Sequence, residues 1–181
     1  MNWSLPDSVE IQNTVYPIRT DYRCILDILT DITDPEADGQ DRAIALLIGL
    51  YPGFADMPPE NYDEAIRAGM RFINCDADDA PHRAPRLVDW EQDYSLIIAP
   101  VNRAIGAEIR AMEYVHWWTF LAAYQEIGDS TFAQVVRIRD RLRRGKMDKA
   151  DWEWYRRNRQ LVDFRRKYTE AENAEAQKWG F

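Results

Sequence analysis

Along most of the chain, apolar residues recur at intervals of three and four, the spacing that gathers them on one face of an α-helix. The beginning is different. Val9, Ile11, Val15, Tyr16 and Ile18 flank Gln12-Asn13, and Pro17 lies inside the second run. Proline cannot donate to a ladder, so a small edge hairpin is expected and not a central strand. No other segment alternates with period two. From Asp21, placed as an N-cap whose carboxylate accepts first-turn amides, a helix over about residues 21–31 buries Ile25, Ile28 and Leu29, and then Ile32. Asp34-Pro35 and Gly39 punctuate its end. A more apolar helix over about residues 40–50 stops at Pro52-Gly53, and a third begins near Pro59 with Tyr62, Ile66, Met70 and Ile73 on one face.

Residues 76–85 mix acids, prolines and small residues without periodicity and read as a surface linker. Asp89 then caps a helix through Trp90, Ile97 and Ile98 toward Ile105, which Pro100 is expected to kink or split. Residues from about 107 to 127 are apolar nearly all round, with Tyr114, Val115, Trp117, Trp118, Phe120, Leu121, Ala122 and Tyr124, and predict one helix in the middle of a bundle. Ser130 caps a helix over residues 131–144 that turns Phe132, Val135, Val136, Ile138 and Leu142 inward and Arg137, Arg141 and Arg144 outward, with Gly145 ending it. The last helix is expected from about 148 to near 174, with a thin seam of Trp154, Leu161, Phe164 and Tyr168.

The fold class that follows is all-α: a helical bundle of about six to seven helices with a small N-terminal β-hairpin. Its expected organisation is residues 1–75 as hairpin and acidic helices, 76–88 as linker, 89–145 as aromatic helical core and 146–181 as a long basic and aromatic C-terminal helix. Together these make one compact domain plus an appendage. The material is sufficient, since 46% of the 181 residues are hydrophobic and the chain holds seven Trp and nine Tyr. The longest apolar run, residues 43–50 with Gly49 inside it, falls short of the roughly 18 residues that cross a bilayer, so no membrane partner is expected. The first residues lack the basic and apolar regions of a secretory signal, which leaves Cys24 and Cys75 as expected free thiols in a reducing cytosol.

Charge divides the chain unevenly. Residues 1–100 carry 19 acids and 7 bases, whereas residues 101–181 carry 12 acids and 16 bases. Such a distribution suits a complementary partner or head-to-tail self-association, and equally describes solvated helix faces. Residues 137–167, with 13 basic and 5 acidic side chains around Trp152, Trp154 and Tyr155, have the footprint of a nucleic-acid surface. The aromatics there follow helical spacing, however, and the whole chain is acidic with a pI near 4.8, which favours a solvated helix face, or a surface for an acidic protein segment, over nucleic acid. Arg141, Arg143, Arg144, Lys146, Trp152, Arg156 and Arg157 are the candidate partner-binding residues.

Catalytic chemistry is hard to assemble from this sequence. Only two histidines are present. His82 lies among Asp76, Asp78 and Asp79, but a calcium loop counted from Asp76 would have Leu87 at its twelfth position where Glu is needed, and no Gly at its sixth. His116, between Val115 and Trp117, shares no motif with a Ser or Cys nucleophile and is expected to be structural. Glu91 and Asp93 flank Gln92 and point to different faces of a helix, so they form no dyad from sequence alone. No catalytic, cofactor-binding or metal-binding residue is assigned, and no enzyme activity is expected.

Three strings nevertheless stand in a recognisable order. Val9-Glu10-Ile11 leads to Tyr16-Pro17-Ile18-Arg19-Thr20-Asp21-Tyr22-Arg23; Asp89-Trp90-Glu91-Gln92-Asp93 follows; then comes His116-Trp117-Trp118-Thr119-Phe120, with Ile138-Arg139 beyond it. Together they resemble the bacteriophage gene-product-fifteen family, small proteins of tailed-phage and prophage tail modules, over roughly residues 5–144. The resemblance implies a helical tail assembly chaperone that coats the tape-measure protein in the cytoplasm of a bacterial host until tube protein polymerises around it. It also leaves room for other tail proteins as partners, for a structural tail component retained in the virion and for a nucleic-acid-binding accessory protein. Trp90, Trp117 and Trp118 are expected as core anchors, although their recurrence in these strings fits an interface as well.

Overall fold

Gln12 and Asn13 both adopt positive φ, at 47° and 62°, which gives a two-residue turn whose twist matches that of the strands it joins. In the computed structural model, which describes residues 4–34, 36–75 and 86–165, this turn links strands β1 (Ser8–Ile11) and β2 (Thr14–Pro17) in an antiparallel pair. Val9 faces Tyr16 and Glu10 faces Val15, and Pro17 pairs only at the end of the ladder. Ile11 is the hairpin residue that enters the core, and β1 lies against the third helix.

Seven α-helices follow among the described residues: α1 (Tyr22–Ile32), α2 (Gly39–Leu50), α3 (Tyr62–Ile73), α4 (Trp90–Ile105), α5 (Trp117–Gln125), α6 (Thr131–Arg143) and α7 (Lys149–Val162). Six of them start at a side chain that accepts a first-turn amide: Asp21, Asp38, Asp89, His116, Ser130 and Asp148. The entry to α3 is instead a 3-10 turn at Pro59–Asn61. One continuous core joins Ile11, Tyr22, Ile25, Ile32, Leu46 and Leu50 to Phe72, Ile97, Trp117, Phe120 and Phe132, so both sides of the 76–88 segment contribute to it. Around that core α1 packs on α2, α4 and α5; α2 on α3; α4 on α6; and α6 on α7.

Three expected boundaries change. The apolar stretch of residues 107–127 does not form a single helix. Gly106, at φ +79°, closes α4 in the left-handed region; a 3-10 turn follows at Ile109–Ala111, and α5 begins only at Trp117. The intervening backbone is used elsewhere, because Val115 C=O accepts from Tyr22 N–H at 2.9 Å and Trp117 N–H donates to Thr20 C=O at 2.7 Å. Pro100 does not split α4: the helix runs through it, with the proline buried in the packed interior. Finally, α7 ends at Val162. Asp163 turns extended and delivers Phe164 to the guanidinium groups of Arg139 and Arg86, at 4.1 and 4.7 Å from the ring centre. Tyr168 and the expected continuation to 174 lie outside the described residues, as does the acidic stretch 76–85 with His82.

Candidate functional site

The strings singled out in the sequence turn out to hold helix ends together. The last carbonyls of a helix have no partner within it, and a donor from elsewhere can satisfy them while fixing one element to another. Arg19 donates to the carbonyls of Ile48 and Gly49 at 2.8 and 2.9 Å, at the end of α2. The indoles of Trp117 and Trp118 donate to Ile73 and Phe72 at 2.8 Å each, at the end of α3. Arg139 donates to Leu161 and Val162 at 2.8 Å each and Gln92 to Asp163 at 3.0 Å, at the end of α7. The charge of Arg139 is balanced by Asp93, which accepts from both guanidinium Nη atoms with neither side chain more than 3% exposed. These strings therefore converge, with Trp90 packed edge-on against Trp117 at 6.4 Å.

His116 belongs to the same framework. Its Nδ1 accepts the amide of Trp118 at 3.0 Å, so Nε2 carries the proton and donates to Pro6 C=O at 2.9 Å. Asp21 works in three directions: it caps α1, accepts Val115 N–H at 3.2 Å and pairs with Arg23. Cys24 and Cys75 form no disulfide, and burial together with Asp21 pushes the Cys24 thiol up, away from the reactive thiolate. Among the described residues, no group of three or more His, Cys, Asp or Glu is placed to hold a metal ion, and no helix is long and apolar enough to cross a membrane.

The seven candidate partner-binding residues differ in what they already touch. Arg141 is bound to Asp148 and to Asp151, a buried carboxylate that also pairs with Arg137 at 3.4 Å, so its charge anchors α7 on α6. Arg143 and Arg144 share Asp140 at 3.3 and 2.8 Å. Lys146 follows the left-handed Gly145 and is exposed. Trp152, Arg156 and Arg157 lie on the outward side of α7, where Trp152 is 43% exposed.

Two grooves stand out. The first, of about 570 Å³, lies along α5 and α6; Leu87, Tyr124, Ile127, Phe132, Ala133 and Val136 line it, with Arg137, Arg144 and Asp140 at its edge. Burial and the nearby Asp93 push the Tyr124 hydroxyl up to about 12, so it stays a neutral part of this wall. The second, of about 620 Å³, lies between α1 and α4, with Tyr22, Leu26, Trp90 and Tyr94 as floor and Asp27, Asp31 and Glu91 around it. Sequence reasoning reached Arg144 but missed Arg137 as its neighbour on the first groove, and it missed the Asp93–Arg139 pair. The available signal was a charge at an inward helical position, for Arg139 stands seven residues after Phe132 and four after Val135, in line with the buried stripe.

Residues 1–164 match the family model described as Bacteriophage Gp15 protein. No curated protein and no solved structure matches the chain.

Proposed function

The chain belongs to the Bacteriophage Gp15 protein family, and from that premise we propose that it is a tail assembly chaperone, binding the tape-measure protein during long-tail morphogenesis. The observation that carries this reading is the groove along α5 and α6, with its apolar floor and two arginines at its edge. A helix is recognised by just such a combination: apolar residues at i, i+3, i+4 and i+7 fill the floor, and acids beside them meet the rim. A tape-measure protein, long and helical, offers many such faces that need cover before tube protein surrounds them. The absence of a readable catalytic motif in the sequence is consistent with a binding role, which asks for shape and charge alone.

The test is co-expression with the tape-measure protein of the same phage. Ala133 is half-buried on the groove wall at the start of α6, and Ala133→Arg should fill the groove and prevent co-purification while the far-ultraviolet circular dichroism stays helical. Arg144→Glu should weaken capture mainly by slowing encounter and raising its salt sensitivity. Capture unaffected by either change in a folded protein would reject the groove. The protein should also be missing from purified finished particles; finding it there in stoichiometric amount would make it a structural tail component instead.

A further inference from the structure

We infer that the chain associates head to tail, the outward face of α7 of one copy docking in the acidic, aromatic groove between α1 and α4 of the next. This goes beyond the proposed function and does not depend on it. The groove offers aromatic rings below and carboxylates above, the combination that binds cations. Its own arginine shows that the floor accepts a guanidinium, since Arg23 lies 4.8 Å from the centre of the Tyr22 ring while pairing with Asp21. Asp27 and Asp31, one turn apart on α1, are both exposed and enter no ion pair among the described residues. Burial, then repulsion from Asp27 and Asp34, holds the Asp31 carboxyl above the usual range, the condition that an incoming cation relieves.

The complementary surface is on the same chain. On α7, Lys149, Trp152 and Arg156 fall at i, i+3 and i+7 and form an exposed line, with Arg157 and Glu153 beside it. Arg141, Arg143, Arg144 and Arg159 all have carboxylate partners, whereas Arg156 and Arg157 have none among the described residues. Trp152 stands between these charges as an exposed aromatic knob, its ring supported edge-on by Tyr155 at 5.8 Å. Asp151, the preceding residue and about 100° around α7 from Trp152, is held by Arg141 and Arg137, so Trp152 faces solvent and cannot turn into the groove of its own molecule without undocking the helix. The occupant is therefore a second copy. Donor and acceptor surfaces differ, which makes the contact heterologous and able to propagate as a ring or an open string.

Sedimentation velocity of the full chain tests this. The wild type should sediment faster as concentration rises and approach a monomer at about 1 M salt, where the screening length is about 3 Å. Asp27→Lys/Asp31→Lys and Arg156→Glu/Arg157→Glu should each stay monomeric with unchanged melting temperature, because all four residues are exposed. An equimolar mixture of the two variants should associate again, since each then carries the charge that the other requires. Trp152→Ala should weaken association without loss of stability. A wild type that is monomeric at every concentration overturns the inference, as do reversed variants that associate like the wild type. A monomeric wild type whose groove binds a short arginine-rich peptide would assign it to a foreign basic partner, and would overturn it too.

Discussion

Asp93 and Arg139 carry opposite charges into the interior, and what keeps them there is the number of bonds around them. Desolvating both ions costs several kcal/mol each, and their attraction offsets this only when the remaining donors and acceptors are satisfied. Arg139 meets that condition through the carbonyls of Leu87, Leu161 and Val162. Asp93→Asn or Arg139→Met should lower unfolding free energy in urea by about 3–5 kcal/mol, the cost of leaving one buried ion without its partner. The double variant Asp93→Leu/Arg139→Met should recover only part of that, because three carbonyls would still lack their donor. Full recovery would show that the carbonyl bonds matter little. Gly49 presents the opposite case, a position where nothing can be added. A Cβ built there meets Ile28 Cγ1 at 2.5 Å, across the contact between α1 and α2. Gly49→Ala should therefore cost about 1–3 kcal/mol by overpacking, a loss that outweighs the gain of about 1 kcal/mol in helix propensity. An increase in melting temperature would contradict it.

At the scale of elements, α7 is attached by its two ends. Asp148 and Asp151 form a capping box at its start, and Arg139 and Gln92 hold its last carbonyls. The hydrogen bond from Arg141 is the first cause that keeps the Asp151 carboxyl below its usual range. A carboxylate whose folded pKa is depressed contributes stability that is complete above the unfolded value of about 3.9 and is lost as pH falls through the lower folded value. Asp151→Asn should consequently be less stable than wild type at neutral pH, with a difference that shrinks as pH drops below about 4. A difference independent of pH would remove the ion pair from the attachment of α7. For the same reason Arg141→Glu should loosen α7, whereas reversal of Arg156 or Arg157, exposed and with no carboxylate partner among the described residues, should leave melting unchanged. The end of α3 offers a parallel test. Trp118→Phe keeps a ring against Phe72 but removes the donor to its carbonyl, and should cost about 1 kcal/mol, against about 3–5 kcal/mol for Trp118→Ala.

Over the whole molecule, the negative charge of the first hundred residues decides which partners the basic C-terminal half can keep. Duplex DNA binding gains from counterion release at each neutralised phosphate, but here the formal net charge is −8 and, among the described residues, seven arginines of that half are paired internally. No retention by duplex DNA at physiological salt is the expected result of a filter-binding titration. A tight complex with a steep salt slope would reverse the ranking of protein over nucleic acid.

What the sequence determined by itself was local. Apolar spacing located the helices, and Asp21, Asp89 and Ser130 marked their starts, because a cap acts within one turn and its chemistry is written in adjacent residues. The hairpin was legible for the same reason. What tertiary structure decided was everything that depends on distant pairs. Residues 107–127 are as apolar as a buried helix, yet α5 begins only at Trp117, after a 3-10 turn, because the backbone of Val115 and Trp117 bonds Tyr22 and Thr20, some 95 residues earlier. Phe164 keeps its place in an apolar seam on a helical wheel, yet the chain leaves the helix to put it beside Arg139 and Arg86. The basic run of residues 137–167 looked like one surface, and folding divided it: Arg139 into the core, Arg141 onto Asp151, Arg144 onto a groove edge, Arg156 and Arg157 into solvent. A charge has no preferred partner along the chain, and only the packing of helices brings a carboxylate within reach of one arginine and leaves another exposed.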